Sequence, residues 1–591
     1  MPNTSLATRA PDIINAIGIP RVISDAERQI VTDKLQAFSQ KVSERSIFAN
    51  QWEEVSQLIL PTSRNTFYYG NYNTPGMKKT EQQIDGTGAL ALHRFCAIAD
   101  SLVTPVNMKW HALRCPDDDV MKNRDVRKWF ENATNALFKK RYASVSGFTG
   151  QNYNNWQSTG AFGNSTMFVD KFDGRNYHNA RGLRYKACPL GETFYGENHQ
   201  GKVDRMFRWF RLTAYQAVQK WGLAALPASL HSPLQQNSQW PYNFLHIVEP
   251  RNDYDRDRLD HKGMPFSSIY ISVEGQCLMQ PEGGYRVFPY AVARYDQTPG
   301  ECYGRGPAQL ILPALKTLNA EKKVFLKQGH RAADPVLLMK DDGIIGFNLR
   351  PGSQNAGAMS SDGKRLVDIL PTGDIQISEK MMGEERSLID DTFLVSLFKV
   401  LSEHPNMTAT QVIELVNEKG MLVAPTLGRQ HSEYVGQMVE REMDLMMEQG
   451  LLPPMPPLLR EAGGEYEVID TSPLAMARKA GEAAGFMRTI ESVKELVNIT
   501  QDQSLLDTFA FDRAVPAIAE IQVVPTDWMA TDQEIANKRK SRAQAQARQE
   551  AIQAMPAQAA MLKAQATVSK NQPGVAQGQA FGGPQQSQAT Q

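Results

Sequence analysis

Between Ser24 and Pro61 the chain places an apolar side chain every three or four residues: Val31, Leu35, Phe38, Val42, Ala49, Trp52, Val55 and Ile59. That period lines them along one face of an α-helix. Ser24 followed by Glu27 is a capping-box pair, a hydroxyl to take an early amide and a carboxylate to reach back. Pro61 has no amide to continue the ladder, so it stops the run. The pattern predicts one long amphipathic helix and commits the chain to a helix-rich fold. Residues 1–23 before it read as a loose arm.

Residues 85–104 and 125–144 predict two further helices, the first closed by Pro105. The chain then changes character. FSSIYISVEG (266–275) and YRVFPYAVARYD (285–296) are aromatic and β-branched, bounded by glycines, and read as strands. Residues 213–222 read as a short helix, so roughly 61–300 is a mixed α+β region. Helices are expected over 307–331, with Pro313 tolerated near its start, and over 378–401. Between them lies a compact β-rich insert, and the two helices are expected side by side. After the turn SEHPN, the stretch MTATQVIELVNEKGMLVAP (407–425) carries a capping box, Thr408 with Gln411, and an apolar stripe that Gly420 can end. Residues 426–449 read as a helix ending at Gly450, 451–460 as an extended proline-rich segment, and 473–497 and 531–567 as helices, the last kinked at Pro556. The closing NQPGVAQGQAFGGPQQSQATQ is Gln/Gly/Pro-rich and reads as disordered. The fold class expected is α+β, predominantly α-helical.

The 591 residues suffice for several domains, and 64 basic residues cancel 64 acidic ones. A neutral chain is not a general polyanion binder, so any nucleic-acid contact must be local or made by assembly. Five scattered cysteines without a CxxC pair argue for reduced thiols and an intracellular origin. The N-terminus lacks the basic start and apolar run of a signal peptide, and no window is apolar enough for a membrane span, so a soluble protein is expected.

Catalytic patterns fail one by one. The nearest approach to a phosphate-binding loop, Gly357 to Lys364, is one residue too long and has Arg365 where a hydroxyl belongs. NDYDRDRLDHKGM (252–264) lacks the glycine and final glutamate of a calcium loop and reads as a solvated charged turn. Asp117, Asp118 and Asp119 are adjacent on a loop and do not converge on one point. No HExxH or GxSxG occurs, although a triad of distant residues leaves no sequence trace. No cofactor, metal or catalytic residue is expected, and the chain reads as architectural.

Four passages carry a resemblance. FANQWEEVSQLILPTS (48–63), YGRGPAQLILPALKTLN (303–319), MTATQVIELVNEKGMLVAP (407–425) and YEVIDTSPLAMARKA (466–480) are similar, in that order, to passages of the portal (head-to-tail connector) proteins of short-tailed, T7-like bacteriophages. The resemblance implies a portal fold with wing, stem, clip and crown, assembled as a homo-oligomeric ring, usually a dodecamer, at one capsid vertex of the virion. It implies a flexible arm over 1–23, a wing over 24–302, a first stem helix over 303–331 and a clip over 332–377. A second stem helix over 378–401, a channel loop over 402–407, the long wing helix and its return over 408–499, a helical crown over 500–568 and a disordered tail over 569–591 complete the assignment. The function implied is a conduit through which double-stranded DNA is packaged and ejected without sequence reading. Its partners would be the terminase or packaging motor, a tail adaptor, and the major capsid and scaffolding proteins. No membrane is involved, and assembly would take place in the host cytoplasm. A packaging-associated enzyme (ATPase or nuclease), or a tail or connector scaffold without a DNA lumen, are the competing readings.

Lys316, Lys323, Lys327 and Arg331, at spacings of seven, four and four, fall near one helix face. If the resemblance holds, a ring would stack them into basic belts facing DNA phosphates in the channel; the same spacing also suits an ordinary solvated face. Ser402, Glu403, His404 and Asn406 would present mixed polarity at a channel loop, or form a plain helix–helix turn. Lys538, Arg539, Lys540, Arg542 and Arg548 would give the crown a basic surface toward packaged DNA, or a solvated charged one.

Overall fold

The long helix is present as α1, Asp25–Leu58. The Ser24 hydroxyl accepts from the Glu27 amide at 3.2 Å, and the Glu27 carboxylate accepts from the Leu278 amide at 2.8 Å, tying the helix start to a distant strand. The computed structural model describes residues 23–71, 76–77, 79–172, 181–236, 238–339, 347–371, 375–396, 427–500, 508–521, 526–531, 533–549, 561 and 563. It divides into two units, 1–523 and 524–591.

Along the first unit, α1 is followed by α2 (Thr87–Val103), strand β1 (His111–Arg114), α3 (Arg124–Arg141) and α4 (Phe148–Phe162). Strands β2 (Asn164–Lys171), β3 (Leu183–Cys188), β4 (Thr193–Glu197) and β5 (Val203–Thr213) come next, then α5 (Ala214–Trp221). Strands β6 (Pro241–Pro250), β7 (Phe266–Ser272), β8 (Cys277–Leu278), β9 (Gly283–Tyr285) and β10 (Tyr290–Arg294) complete this part. The larger sheet is antiparallel in the order β4-β5-β6-β7-β8, with β9 also on β7. Its register sets Trp209 opposite Leu245 and Ile247 opposite Ile269.

Side chains alternate across a strand, and here both faces are buried. Phe207, Trp209, Leu245, Ile247, Ile269 and Ile271 meet Val31 and Phe38 of α1. Their neighbours Phe210, Phe244 and Tyr270 meet Ala217, Leu226 and Leu230 on the other side. The stretch expected as one strand over 285–296 is two, and they part company: β9 pairs with β7, and β10 pairs with β2 in a second sheet, β10-β2-β3. Between them Phe288 turns into the core.

The YGRG sequence at 303–306 has a local cause. Gly163 sits in left-handed backbone (φ 70°), and a Cβ there would lie 2.2 Å from the Arg305 carbonyl carbon. Asn164 clasps the same segment, donating to the Gly304 carbonyl (2.7 Å) and accepting from its amide (2.8 Å). Tyr303 accepts from the Tyr195 amide at 3.1 Å.

The helix expected over 307–331 is broken. A single turn, Pro307–Leu310, is followed at Ile311 by a new helix α6, Leu312–Ala333, with Pro313 in its first turn, where its missing amide costs nothing. Strands β11 (Leu337–Met339) and β12 (Val367–Ile369) form a small antiparallel pair. The next helix, α7, runs over Ile375–Thr392 and is interrupted where Leu394 turns into left-handed backbone (φ 61°); helix resumes at 395–396, and the rest of the expected 378–401 lies outside the described residues. The stretch 407–425 lies outside the described residues.

Beyond it, the described chain resumes at 427 in helix, passes through a π-turn, His431–Val435, and continues as α8, Gly436–Glu448. Gly450 (φ 64°) ends it, with the Leu451 amide donating to the Met446 carbonyl (2.9 Å) in a Schellman closure. The segment expected to be extended, 451–460, contains a helical turn, Pro457–Glu461, because Pro456 and Pro457 favour a helix start. Strand β13 (Glu467–Asp470) pairs antiparallel with β1, and α9 (Pro473–Thr500) and α10 (Phe511–Ile521) follow. The second unit has a 3-10 turn, Thr526–Trp528, and a helix over 533–549 whose side chains are almost all exposed.

The core is closed by buried charge as well as by apolar side chains. Arg141 of α3 donates through Nε to Glu442 of α8 (3.0 Å) and makes a second bond through Nη2. Tyr185 donates to the same carboxylate (2.6 Å), and His111 receives Arg141 Nη2 at 2.7 Å. The guanidinium lies 4.3 Å from the Trp110 ring centroid. Burial, then the repulsion of Arg141 and His431, hold His111 well below the usual histidine range. Arg294 of β10 is gripped by Glu433 in the π-turn (2.9 and 3.0 Å) and by Glu197. Arg45, in the middle of α1, donates to the carbonyls of Leu190, Thr193 (2.9 Å each) and Phe67 (2.7 Å), with its guanidinium 3.6 Å from the Phe194 ring.

Candidate nucleic-acid interface

The basic series lies on α6, and the helix forms there for a reason separate from charge. Leu315 and Leu318 are buried in the main core, and Phe325 packs against it. Gly88 in α2 admits the approach of α6: a Cβ there would lie 2.7 Å from Leu315 Cδ2. Asn319 latches the loop before α2, accepting from the Ile84 amide (2.8 Å) and donating to the Gln82 carbonyl (3.0 Å). On the second helix, Arg386 meets Asp85 at 3.0 Å, and the Phe393 ring after its end stands edge-on to Phe95. Ser378 donates to Gln328 at 3.2 Å, so α6 and α7 lie side by side.

With that face committed, the opposite one is left outward. Lys316, Lys323, Lys327 and Arg331 are all exposed, over about 22 Å of helix axis. They are not equivalent. Lys316 Nζ is 2.7 Å from Glu54 of α1. Lys323, Lys327 and Arg331 have no carboxylate within 4 Å among the described residues. Arg331 stands in the last turn of the helix, where a cation also complements the backbone dipole. Lys322 is turned to the flank, 5.2 Å from the Phe325 ring. Between the helices Glu321 and Glu385 confront each other; burial and then that repulsion raise Glu321 above the usual carboxylate range.

Ser402, Glu403, His404 and Asn406 lie outside the described residues. In the second unit Lys538, Arg539, Lys540, Arg542 and Arg548 share the helix over 533–549 and are all exposed. At 100° per residue they spread around that helix rather than along one stripe.

The acidic sequences that suggested metal sites are occupied by other tasks. Asp117 caps the short helix Asp118–Met121, Asp118 pairs with Arg114, and Asp119 pairs with Lys122 at 2.5 Å. In the 252–264 turn, Asp253 meets Lys262 (2.9 Å) and Asp260 meets Arg258 (2.5 Å). No group of three or more metal-ligating side chains converges among the described residues. The described cysteines are free thiols; Cys96, Cys115, Cys188 and Cys277 are buried. No helix among the described residues is long and apolar enough to cross a membrane.

The family described as bacteriophage head to tail connecting protein matches residues 32–529 of this chain. A relative from Bordetella phage BPP-1, named a probable portal protein, is 26% identical over 526 residues, covering 88% of this chain and 92% of its own length. The portal protein of Salmonella phage epsilon15 is 25% identical over 532 residues, covering 87% of this chain and 92% of itself. Among solved structures, a chain from the neck of an empty GTA particle computed with C6 symmetry aligns over 70% of this chain and 89% of its own. At 12% identity and a TM-score of 0.33, that alignment carries no argument.

Proposed function

The chain belongs to the bacteriophage head-to-tail connecting protein family, and from that premise we propose how its parts serve a portal. It is a structural portal protein of the virion, placed where head meets tail, and not an enzyme. The observation that carries the reading is the family match over residues 32–529, together with relatives covered over nine-tenths of their length.

Copies of the chain close into a ring, twelve as in the usual portal, by heterologous contacts. The sheets with α1 to α5 serve as the wing, α6 and α7 as the stem, and the β11–β12 insert as the clip that docks the packaging motor early and a tail adaptor later. Residues 402–407 serve as the channel loop and the helices beyond 500 as the crown. Capsid and scaffolding proteins hold the ring at its vertex. The outward face of α6 lines the channel. Its support is that Lys323, Lys327 and Arg331 face solvent and have no carboxylate beside them among the described residues. Repeated around a ring, such cations meet phosphates without reading bases and release them readily, which suits DNA that must slide.

Negative-stain imaging of the purified chain tests the ring. An annulus whose hole admits duplex DNA is expected. Compact monomers at micromolar concentration, or a particle without a hole, would overturn it.

A further inference from the structure

Behind the larger sheet, β2, β3, α5, α8 and the turn between β9 and β10 border an open cleft of about 1210 Å³. Cations reach it from separate elements: Arg184 and Lys186 from β3, Arg208 from β5, Lys220 from the end of α5 and Arg286 after β9. Some basic residues there are already matched. Arg208 holds Glu192 with two bonds (3.1 and 3.2 Å), Arg441 holds Asp444 (2.6 Å), and Lys171 holds Glu448 (2.8 Å). Arg184, Lys186, Lys220 and Arg286 have no carboxylate within 4 Å among the described residues.

The local field shows what this costs. Lys220, like Arg184 and Arg286, is exposed to solvent, while Lys186 is half-buried. Desolvation, and then the repulsion of Arg208, push the Lys220 ammonium down. The same two causes push Lys186 down. Asp170, the cross-strand neighbour of Arg184, is the carboxylate that opposes this crowding, and the cleft still carries more cations than carboxylates, an imbalance that an incoming anion relieves.

The shape narrows the anion. The volume exceeds the roughly 300–1,000 Å³ of a small-molecule pocket. Lys220 Nζ lies 4.1 Å from the Tyr270 ring centroid, 4.7 Å from Trp221 and 5.1 Å from Phe210, so the ammonium already covers the aromatic surfaces on which bases of a single strand would stack. The cations converge inside a concavity rather than along an outward stripe, unlike those of α6. We propose that this cleft docks an acidic peptide segment of a partner protein, its carboxylates held by Arg184, Lys186, Lys220 and Arg286. The inference is independent of which face lines the channel.

A rhodamine-labelled hexaglutamate peptide, titrated with the full-length protein and followed by fluorescence anisotropy, tests it. Binding is expected, and Lys220→Gln with Arg286→Gln should weaken it at least tenfold. Arg184→Gln alone, at a third exposed position, should weaken it several-fold. The α6 variant Lys323→Glu with Lys327→Glu should leave it unchanged. No binding, equal loss from the α6 variant, or displacement of the peptide by an equal concentration of an oligothymidylate or inorganic phosphate would each overturn the proposal.

Discussion

Arg141 and Lys327 carry the same charge on helices of similar length, yet the protein uses them in opposite ways. Arg141 is fully buried, with Glu442, His111 and the Trp110 ring around it. Lys327 faces solvent with no carboxylate near it among the described residues. A charge inside the body is part of the architecture, because leaving its partner alone in a dry core is expensive. A charge on the outer face of α6 contributes little to the fold and is free to meet something else. The two regions should therefore answer differently to the same kind of change.

The largest effect is expected inside. Glu442→Gln strands the Arg141 guanidinium and should cost about 3–5 kcal/mol in denaturant unfolding. Replacing both, Arg141→Met with Glu442→Leu, should recover much of that loss; if it does not, the pair does more than balance charge.

A pH titration of stability comes next. His111 and His246 are both buried and held well below the usual histidine range, chiefly by burial. The folded protein keeps them neutral, whereas the unfolded chain takes up protons below about pH 6.5. Stability should thus be full above that pH and fall as pH drops, by about 1.4 kcal/mol per pH unit for each histidine until its folded pKa is reached. His111→Gln should remove its share of that slope.

On α6 the effects shrink. Lys316→Ala, which loses the exposed Glu54 pair, should cost about 0.2–1 kcal/mol. Lys323→Glu with Lys327→Glu should move stability by no more than about 0.5 kcal/mol. That double variant should nevertheless alter DNA retention or passage in assembled particles. Unchanged packaging and ejection would remove the case for this face as the channel wall, and a large loss of stability would erase the contrast itself.

The same contrast explains what could be read without coordinates. The α6 series was legible because one helix supplies it, and helical period alone sets which residues share a face. Helix α1 was legible for that reason too. The strands β5 and β6 were not: with both faces buried, VDRMFRWFRLT and NFLHIV lack the polar–apolar alternation that marks a strand. Nor were the buried cations. Arg45 sits on α1 like any surface arginine, and its carbonyl partners lie some 145 residues away or more, save Phe67. The cleft draws its cations from four elements, so no local spacing announces it. The break at Ile311 was hidden because a proline can kink a helix or begin one, and the sequence around Pro313 suits both.

The π-turn at His431–Val435 sets a limit on chain length. Before it, Gln430 is fastened to the Arg294 carbonyl (2.8 Å); after it, Gln437 receives the Val292 amide (3.3 Å) and Glu442 receives Arg141. Each residue advances a helix by about 100°, and the wide turn absorbs one extra step so that both sets of anchors are in phase. Deleting a single residue there would leave the helix able to honour one set or the other. At this point the protein should tolerate altered side chains far better than an altered count.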